Sequence, residues 1–339
     1  MGVDNVIGRL MRVLSEVSRH EPYLGVLPTS NFEDSTPLYY DGELEDCSPL
    51  ENFAYLDTSS RTISVRGANI HMASLYANEG GKHIMVPTDD TVPFLAMKGS
   101  EAVITKVKEA LGNVLATHNV NGVPYNYDYK DDNILDELRI SLENMVINKS
   151  TRPVIVDGPI VPGPYLQMVG DPYKSAFEEL ASRRNRSNLI GVVKRLNFTR
   201  KLSREENIKR NYRSLVGATD DVIVQQMGKG RNKFVTSVFE EEVNLKGATV
   251  RRYMVYVKLR DSVFRVESVN RELLCGGVKT SLNSASIRGI PTFIEVADKM
   301  SKRLSASVYV LSFIHASSLL GVNYEDWNTY LEASRDLGD

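Results

Sequence analysis

Two aspartates stand at the ends of apolar runs, Phe53-Ala-Tyr-Leu-Asp57 and Pro153-Val-Ile-Val-Asp157-Gly158-Pro159. A carboxylate is expensive to bury there unless a partner or a function requires it. A helical pattern over residues 133–147 (Ile134, Leu135, Leu138, Leu142, Met145, Val146) runs into the second strand through a short link. The two elements are then antiparallel, and the start of the helix lies near the strand's end. Asp136 and Glu137 occupy that position, with Glu143 about 9 Å further along at 1.5 Å per residue. Asp136 suits the helix terminus as a first-turn acid. Glu137 is therefore the expected third carboxylate, with Glu143 as its alternative. Carboxylates that converge without His or Cys make a hard, oxygen-rich site suited to Mg²⁺ or Mn²⁺. Two such ions about 3.5–4 Å apart activate a water and stabilise both oxygens of a phosphodiester displacement. Competing readings are two-carboxylate glycoside hydrolysis and plain turn and capping chemistry, which Asp-Gly-Pro also serves.

The elements that must position these acids form a mixed α/β pattern. Residues 53–57, 62–66, 69–77 and 83–87 read as an antiparallel meander, with Gly67 at a turn or bulge. Helical patterns follow over 101–115 and 133–147. Residues 153–157 and 189–194 read as buried central strands. Strand-like runs cover 234–239, 249–259 and 263–269, and Pro291 opens a helix over 292–304. Residues 20–52 read as a long connection. Residues 1–20, with Val3, Val6, Ile7, Leu10, Leu14 and Val17, form an amphipathic helical pattern, and residues 324–337 form a last helix.

With 339 residues, 42% of them hydrophobic, the chain can bury a sizeable core without metal or disulfide staples. The net charge of −2 speaks against a nucleic-acid partner only while it is read as one sum. Residues 183–213 hold eleven Lys or Arg against two acids, a local +9 that leaves −11 for the remainder. Eight acids and no Lys or Arg fall between residues 33 and 57. Such asymmetry suggests a polyanion partner or a regulatory tail, though a basic run is often a solvated loop. Cys47 and Cys275 lack metal spacing and read as free thiols, which suits a reducing interior. There is no signal-peptide pattern, and the apolar stretch 305–322 contains His315 and several serines, short of a membrane span. The expected location is cytoplasmic.

The ordered set YLDTSSRTISVRG, NIHMASLYA, DELRISLEN, VIVDGP, LIGVVKR and GIPTFIEVADKMSK resembles the NurA nuclease family from about residue 50 to residue 305. The resemblance implies a single NurA domain over residues 1–339 with a ribonuclease H-like core at about 50–305, a basic segment at 183–213, and peripheral helices at 1–20 and 324–337. It implies a homodimer that degrades DNA with Mn²⁺ or Mg²⁺, as a 5′-to-3′ exonuclease and single-strand endonuclease. It also implies a HerA-type hexameric ATPase as partner in processing the ends of double-strand breaks. Asp57, Glu137 and Asp157 match the family's carboxylates, and Lys194 its lysine after the apolar run, which would meet a phosphate. The resemblance likewise implies that the basic segment contacts DNA phosphates, through Arg195, Arg200 and Lys201 beside Lys194, while Phe198 and Tyr212 would stack on unpaired bases or anchor the loop. On the late helix the family often has Ala-His; here the pair is Ala297-Asp298, so Asp298 would complete an all-carboxylate set. Where the family often has an aromatic, this chain has Ile290. From a different class, a non-catalytic DNA-end adaptor of a translocase needs the basic segment but no metal site.

Overall fold

The polar run Thr58-Ser-Ser-Arg61 does not end the first strand of the meander. Main-chain bonding to a neighbouring strand is indifferent to side-chain polarity, and alternation carries the run through. After the short β1 (Tyr39–Gly42), residues 54–65 therefore form one 12-residue strand, β2 (Ala54–Val65), the long spine of the sheet. Asp57 consequently sits inside a strand and not at its end. Gly67, at φ 84°, turns the chain into β3 (Ala68–Glu79), and β2 and β3 pair along their whole length. β4 (Lys82–Val86) and β5 (Leu95–Gly99) pair with the two halves of β3. These observations come from a computed structural model that describes residues 11–13, 36–87, 93–111, 115–162 and 173–338. The amphipathic pattern at 1–20 lies outside the described residues apart from 11–13.

After α1 (Glu101–Leu111) and α2 (Asp131–Lys149), β6 (Val154–Asp157) runs parallel to β2 and to β7 (Leu189–Val193), with α3 (Tyr173–Ser182) between them. The basic segment includes α4 (Glu206–Asn211), and α5 (Asp220–Met227) follows it. Then come β8 (Lys233–Val235), β9 (Val238–Leu245), β10 (Ala248–Leu259) and β11 (Ser262–Ser268). The expected strand at 234–239 is thus two strands, β8 and β9. The chain closes with α6 (Arg271–Asn283), α7 (Thr292–Leu319) and α8 (Tyr324–Gly338). The result is an eleven-stranded mixed sheet in the order β1-β9-β10-β11-β7-β6-β2-β3-β4, with β5 on β3 and β8 on β10. Helices flank it, as the α/β reading expected. α7 continues fifteen residues beyond the expected end at 304, because no Pro or Gly interrupts 305–319. Among the described residues no helix is long and apolar enough to cross a membrane.

Side-chain alternation assigns the two faces of the central strands. Ala54, Leu56, Val154 and Val156 pack in one core with Leu138, Leu142 and Val146 of α2. Tyr55 and Ile155 face the other way, with Phe293 and Ile294 of α7 and Leu274 and Val278 of α6. A period of two therefore points Asp57 and Asp157 at α7, not at α2.

The cysteines correct another expectation: Cys47 and Cys275 are joined in a disulfide. From the end of β1 towards β2 the chain runs along α6. There Asp41 meets Arg271 and Asp46 meets Lys279, and the Leu50 amide donates to the Thr280 hydroxyl. These contacts bring together two thiols 228 residues apart, a proximity that spacing along the chain does not reveal. Once joined, the two cysteines no longer point to a reducing interior.

Candidate metal centre

β6 ends at Asp157, in register with Asp57 on the adjacent parallel strand, since Leu56 pairs with Val156. Gly158, at φ 141°, turns the chain away at once, a conformation that favours glycine. Asp298 faces the pair from the second turn of α7. One carboxylate oxygen from each of Asp57, Asp157 and Asp298 lies within 4.8 Å of the others. The Ser301 hydroxyl, one turn beyond Asp298, donates to Asp57 Oδ2 at 2.9 Å. Lys194, just past β7, places Nζ 2.5 Å from Asp157 Oδ2 and 3.7 Å from Asp298 Oδ1. Lys302 pairs with the other Asp298 oxygen at 2.7 Å.

Burial, reinforced by the charge of Asp157, pushes the Asp57 carboxyl up to about 7, against the Ser301 hydrogen bond and the charge of Arg139. Asp157 is raised too, by burial first and by Asp298, with Lys194 opposing. Burial works against the Lys194 ammonium, but Asp157, Asp298 and Asp57 outweigh it and hold its pKa above the ordinary value. Three crowded carboxylates with oxygen donors only, partly balanced by an ammonium, fit a hard divalent cation. Asp57, Asp157 and Asp298 are the residues that would hold it.

Glu137 is not among them. Tyr129 and Tyr125 both donate their hydroxyls to it, the latter at 2.8 Å, on the opposite side of the sheet. Burial pushes its carboxyl up to about 7 despite these bonds. The reason lies in lengths: β6 has four residues, about 13 Å, while α2 has nineteen, about 28 Å. The helix overshoots the end of β6 and follows the outer half of the β2–β3 hairpin. Its first residue, Asp131, reaches His71 and Lys98 there. The turn level with Asp57 is the one bearing Arg139 and Glu143, and both bond the Thr58 hydroxyl, at 3.2 and 2.7 Å. Glu143 is in turn paired with buried Arg184 at 2.6 Å. Arg184→Met should therefore destabilise the fold by about 3–5 kcal/mol, by leaving the Glu143 charge buried without its cation. Urea unfolding checks this, and a loss below about 1 kcal/mol would mean the pair is incidental.

The basic segment is much less of a surface than its +9 suggests. Lys201 is 1% exposed and bonded to Glu241 at 2.5 Å, so it is unavailable to a phosphate. Arg184 is likewise internal and Lys194 belongs to the acid cluster. Arg183 pairs with Glu179 and Lys209 with Glu206. Arg195, Arg210 and Arg213 are exposed, and Arg200 is half-buried. Tyr212 packs on the core beneath the segment, whereas Phe198 is 58% exposed. Ile290 packs in the core beside α6.

Sequence reasoning passed over Ser301 and Arg139. Ser301 lies three residues after Asp298, on the same helix face, and that spacing was the available signal. For Arg139 there was none, since its level depends on where β6 stops.

The NurA domain family matches this chain over residues 51–303. A comparison with curated proteins finds no match. Among solved structures, the NurA nuclease from Sulfolobus solfataricus aligns over 91% of this chain and 95% of its own, at 10% identity and a TM-score of 0.44. A NurA with manganese aligns over 87% and 94%, at 8% identity and a TM-score of 0.41. A NurA bound to dAMP and manganese aligns over 87% and 92%, at 9% identity and a TM-score of 0.38. On the match across residues 51–303, this chain belongs to the NurA family.

Proposed function

We propose that this chain is a metal-dependent DNA nuclease. The observation that carries the reading is the cluster of Asp57, Asp157 and Asp298, whose oxygens approach within 4.8 Å in a NurA-family chain. A divalent ion held there, or a pair of them, supplies the positive charge that activates water and offsets charge developing on the phosphate. The chain's own residues do the rest. Ser301 fixes the orientation of Asp57. Lys194 lies at the rim of the acids, half-buried, where its ammonium can meet a phosphate oxygen. Arg195, Arg210 and Arg213 offer backbone contacts along the approaching strand. The meander β2-β3-β4 beside parallel β6 and β7 supports a ribonuclease H-like core. Mn²⁺ or Mg²⁺ as the ion, two ions per site, 5′-to-3′ polarity, single-strand endonuclease action, a homodimer, and a HerA-type ATPase in end resection complete the proposal.

Single-stranded DNA labelled at either end, incubated with Mn²⁺, Mg²⁺ or EDTA, tests the core of it. Cleavage is expected only with metal, and the order of label release gives the polarity. Cleavage in EDTA would overturn a metal mechanism; tight binding without cleavage under any metal would favour the adaptor. Glu137→Gln and Glu143→Gln separate packing from ligation: each should leave Mn²⁺ affinity within about threefold, less than 1 kcal/mol. A loss of Mn²⁺ affinity in titration calorimetry would return that glutamate to the site.

DNA affinity should fall with salt. Replacing Arg210 and Arg213 together by Ala should lower the slope of log affinity against log salt by about 1.4 for single strands. An unchanged slope in fluorescence anisotropy would mean these arginines face solvent alone.

A further inference from the structure

Glu267 of β11 is fully buried, 0% exposed, and lies outside the acid cluster. Strand pairing sets it opposite Gly191 of β7, which is itself opposite Val156, the residue before Asp157. The chain leaves β6 at Asp157 and folds through Gly158 and Pro159. The next amide, Ile160 N–H, donates to Glu267 Oε1 at 2.8 Å. Within the same turn the Gly158 amide donates to Val192 O at 2.9 Å. The turn can lie this close to β7 only because residue 191 has no side chain. A Cβ there would stand 2.6 Å from Gly158 O and 3.0 Å from both Ile160 N and Glu267 Cγ.

Glu267 is itself held rigidly. Arg265 Nε donates to Oε2 at 2.9 Å and Arg252 Nη1 to Oε1 at 3.2 Å. Arg252 Nε also bonds Glu241 Oε2 at 2.7 Å, and Glu241 Oε1 takes the Lys201 ammonium. Burial alone would push the Glu267 carboxyl up, but Arg252, Arg265 and the Ile160 amide hold it below its ordinary value. A network that only filled the core would be satisfied by its own charges, and well-packed apolar residues often replace such networks without loss. The bond to a backbone amide three residues from Asp157 is what a core-filling role does not require.

We propose that Glu267 is a positioning residue for the candidate metal centre: it clamps the turn after Asp157 and thereby aims that carboxylate. Arg265, Arg252, Glu241 and Lys201 hold the clamp in place, which gives the buried lysine of the basic segment a role inside the protein. The consequence for metal binding rests on the nuclease reading; the clamp itself does not.

The test uses the full chain as wild type, Glu267→Gln and Gly191→Ala. In Glu267→Gln the new side-chain amide would face Arg265, or the side chain must turn and give up a charge-assisted bond to Ile160. Gly191→Ala keeps every charge of the network and pushes on the turn from the other side, so it stands if the first variant fails to fold. Without metal, hydrogen exchange at the Ile160 amide should quicken about tenfold or more in both variants. Mn²⁺ affinity by calorimetry should fall about 10–100-fold, while single-strand affinity in EDTA stays within about twofold. Unchanged exchange at Ile160 overturns the clamp whatever the protein's function. Faster exchange with unchanged Mn²⁺ affinity overturns the positioning role. Parallel loss of Mn²⁺ affinity, DNA affinity and circular-dichroism signal would show general loosening and overturn it as well. A wild-type chain that binds no Mn²⁺ would instead sink the nuclease reading, leaving the Ile160 exchange to judge the clamp.

Discussion

Asp57→Asn should reduce metal-dependent cleavage by about a thousandfold or more, equivalent to ~4 kcal/mol of barrier, while making the metal-free protein more stable. Both effects come from the same crowding. The amide keeps the shape of the carboxylate and the hydrogen bond from Ser301. It removes one of three carboxylates that would hold a cation, and the one whose ionisation burial and Asp157 oppose most clearly. Without metal, that ionised carboxylate is a burden on the folded state, so its loss should raise the Tm in EDTA at pH 8. With Mn²⁺ the order should reverse, because the wild type gains binding energy that the variant lacks. DNA affinity should stay close to wild type, since the exposed arginines are untouched. End-labelled cleavage assays and melts with and without Mn²⁺ measure all of this. Retained Mn²⁺-dependent cleavage, or a lower Tm in EDTA, would contradict the assignment of Asp57.

How far the candidate site could be read from sequence depended on what sets each residue's position. Asp57 and Asp157 were legible because a charge among apolar β-type residues is locally anomalous, and parallel pairing of β2 with β6 then put them side by side. Asp298 entered only through the family resemblance; nothing in the pattern of α7 marks it. Glu137 misled because chain direction can be read from the short link before β6, whereas relative length cannot. A helix antiparallel to β6 does start beyond the strand's end, but it starts well beyond it, over a β2 that continues eight residues past Asp57. Face mattered equally. Period two turns Thr58 towards Glu143 and Asp57 towards Ser301, so the two helices read opposite sides of one strand.

Charge was the least legible property. Lys201 and Arg195 look alike in a basic run, yet one is internal because Glu241, forty residues away, lies opposite it, and the other is exposed. Asp41 and Asp46, from the acidic run, likewise meet cations on α6, the helix that carries the disulfide partner of Cys47. Strand order, not composition, decides such pairings.

Asp57 should make both metal binding and metal-free stability depend on pH. In the metal-free protein its carboxyl keeps a proton up to about pH 7, against an ordinary value of 3.8. Mn²⁺ requires the ionised form, so binding below pH 7 must expel a proton. Affinity should then rise by about tenfold per pH unit between about pH 5 and 7 and level off above. Stability without metal should run the other way. A carboxyl raised in the folded state makes that state bind more protons than the unfolded chain, so its contribution is lost as pH climbs from about 4 to 7. Glu137, also pushed up to about 7 by burial, contributes the same sign of slope. His71 contributes the opposite one: burial lowers it to about 4, so the unfolded chain takes up the proton first and stability rises with pH over much the same window. The whole-protein slope mixes these with further shifted groups, Asp157 and Asp136 among them, so the informative quantity is the difference between wild type and Asp57→Asn. That difference in Tm should grow from near zero at pH 4 to its full value above pH 7. Proton release on Mn²⁺ binding, measured by calorimetry in two buffers of different ionisation enthalpy, should fall in Asp57→Asn but persist in Glu137→Gln. If it falls in Glu137→Gln instead, the cation sits on the α2 side of the sheet, and the site must be rebuilt around that helix.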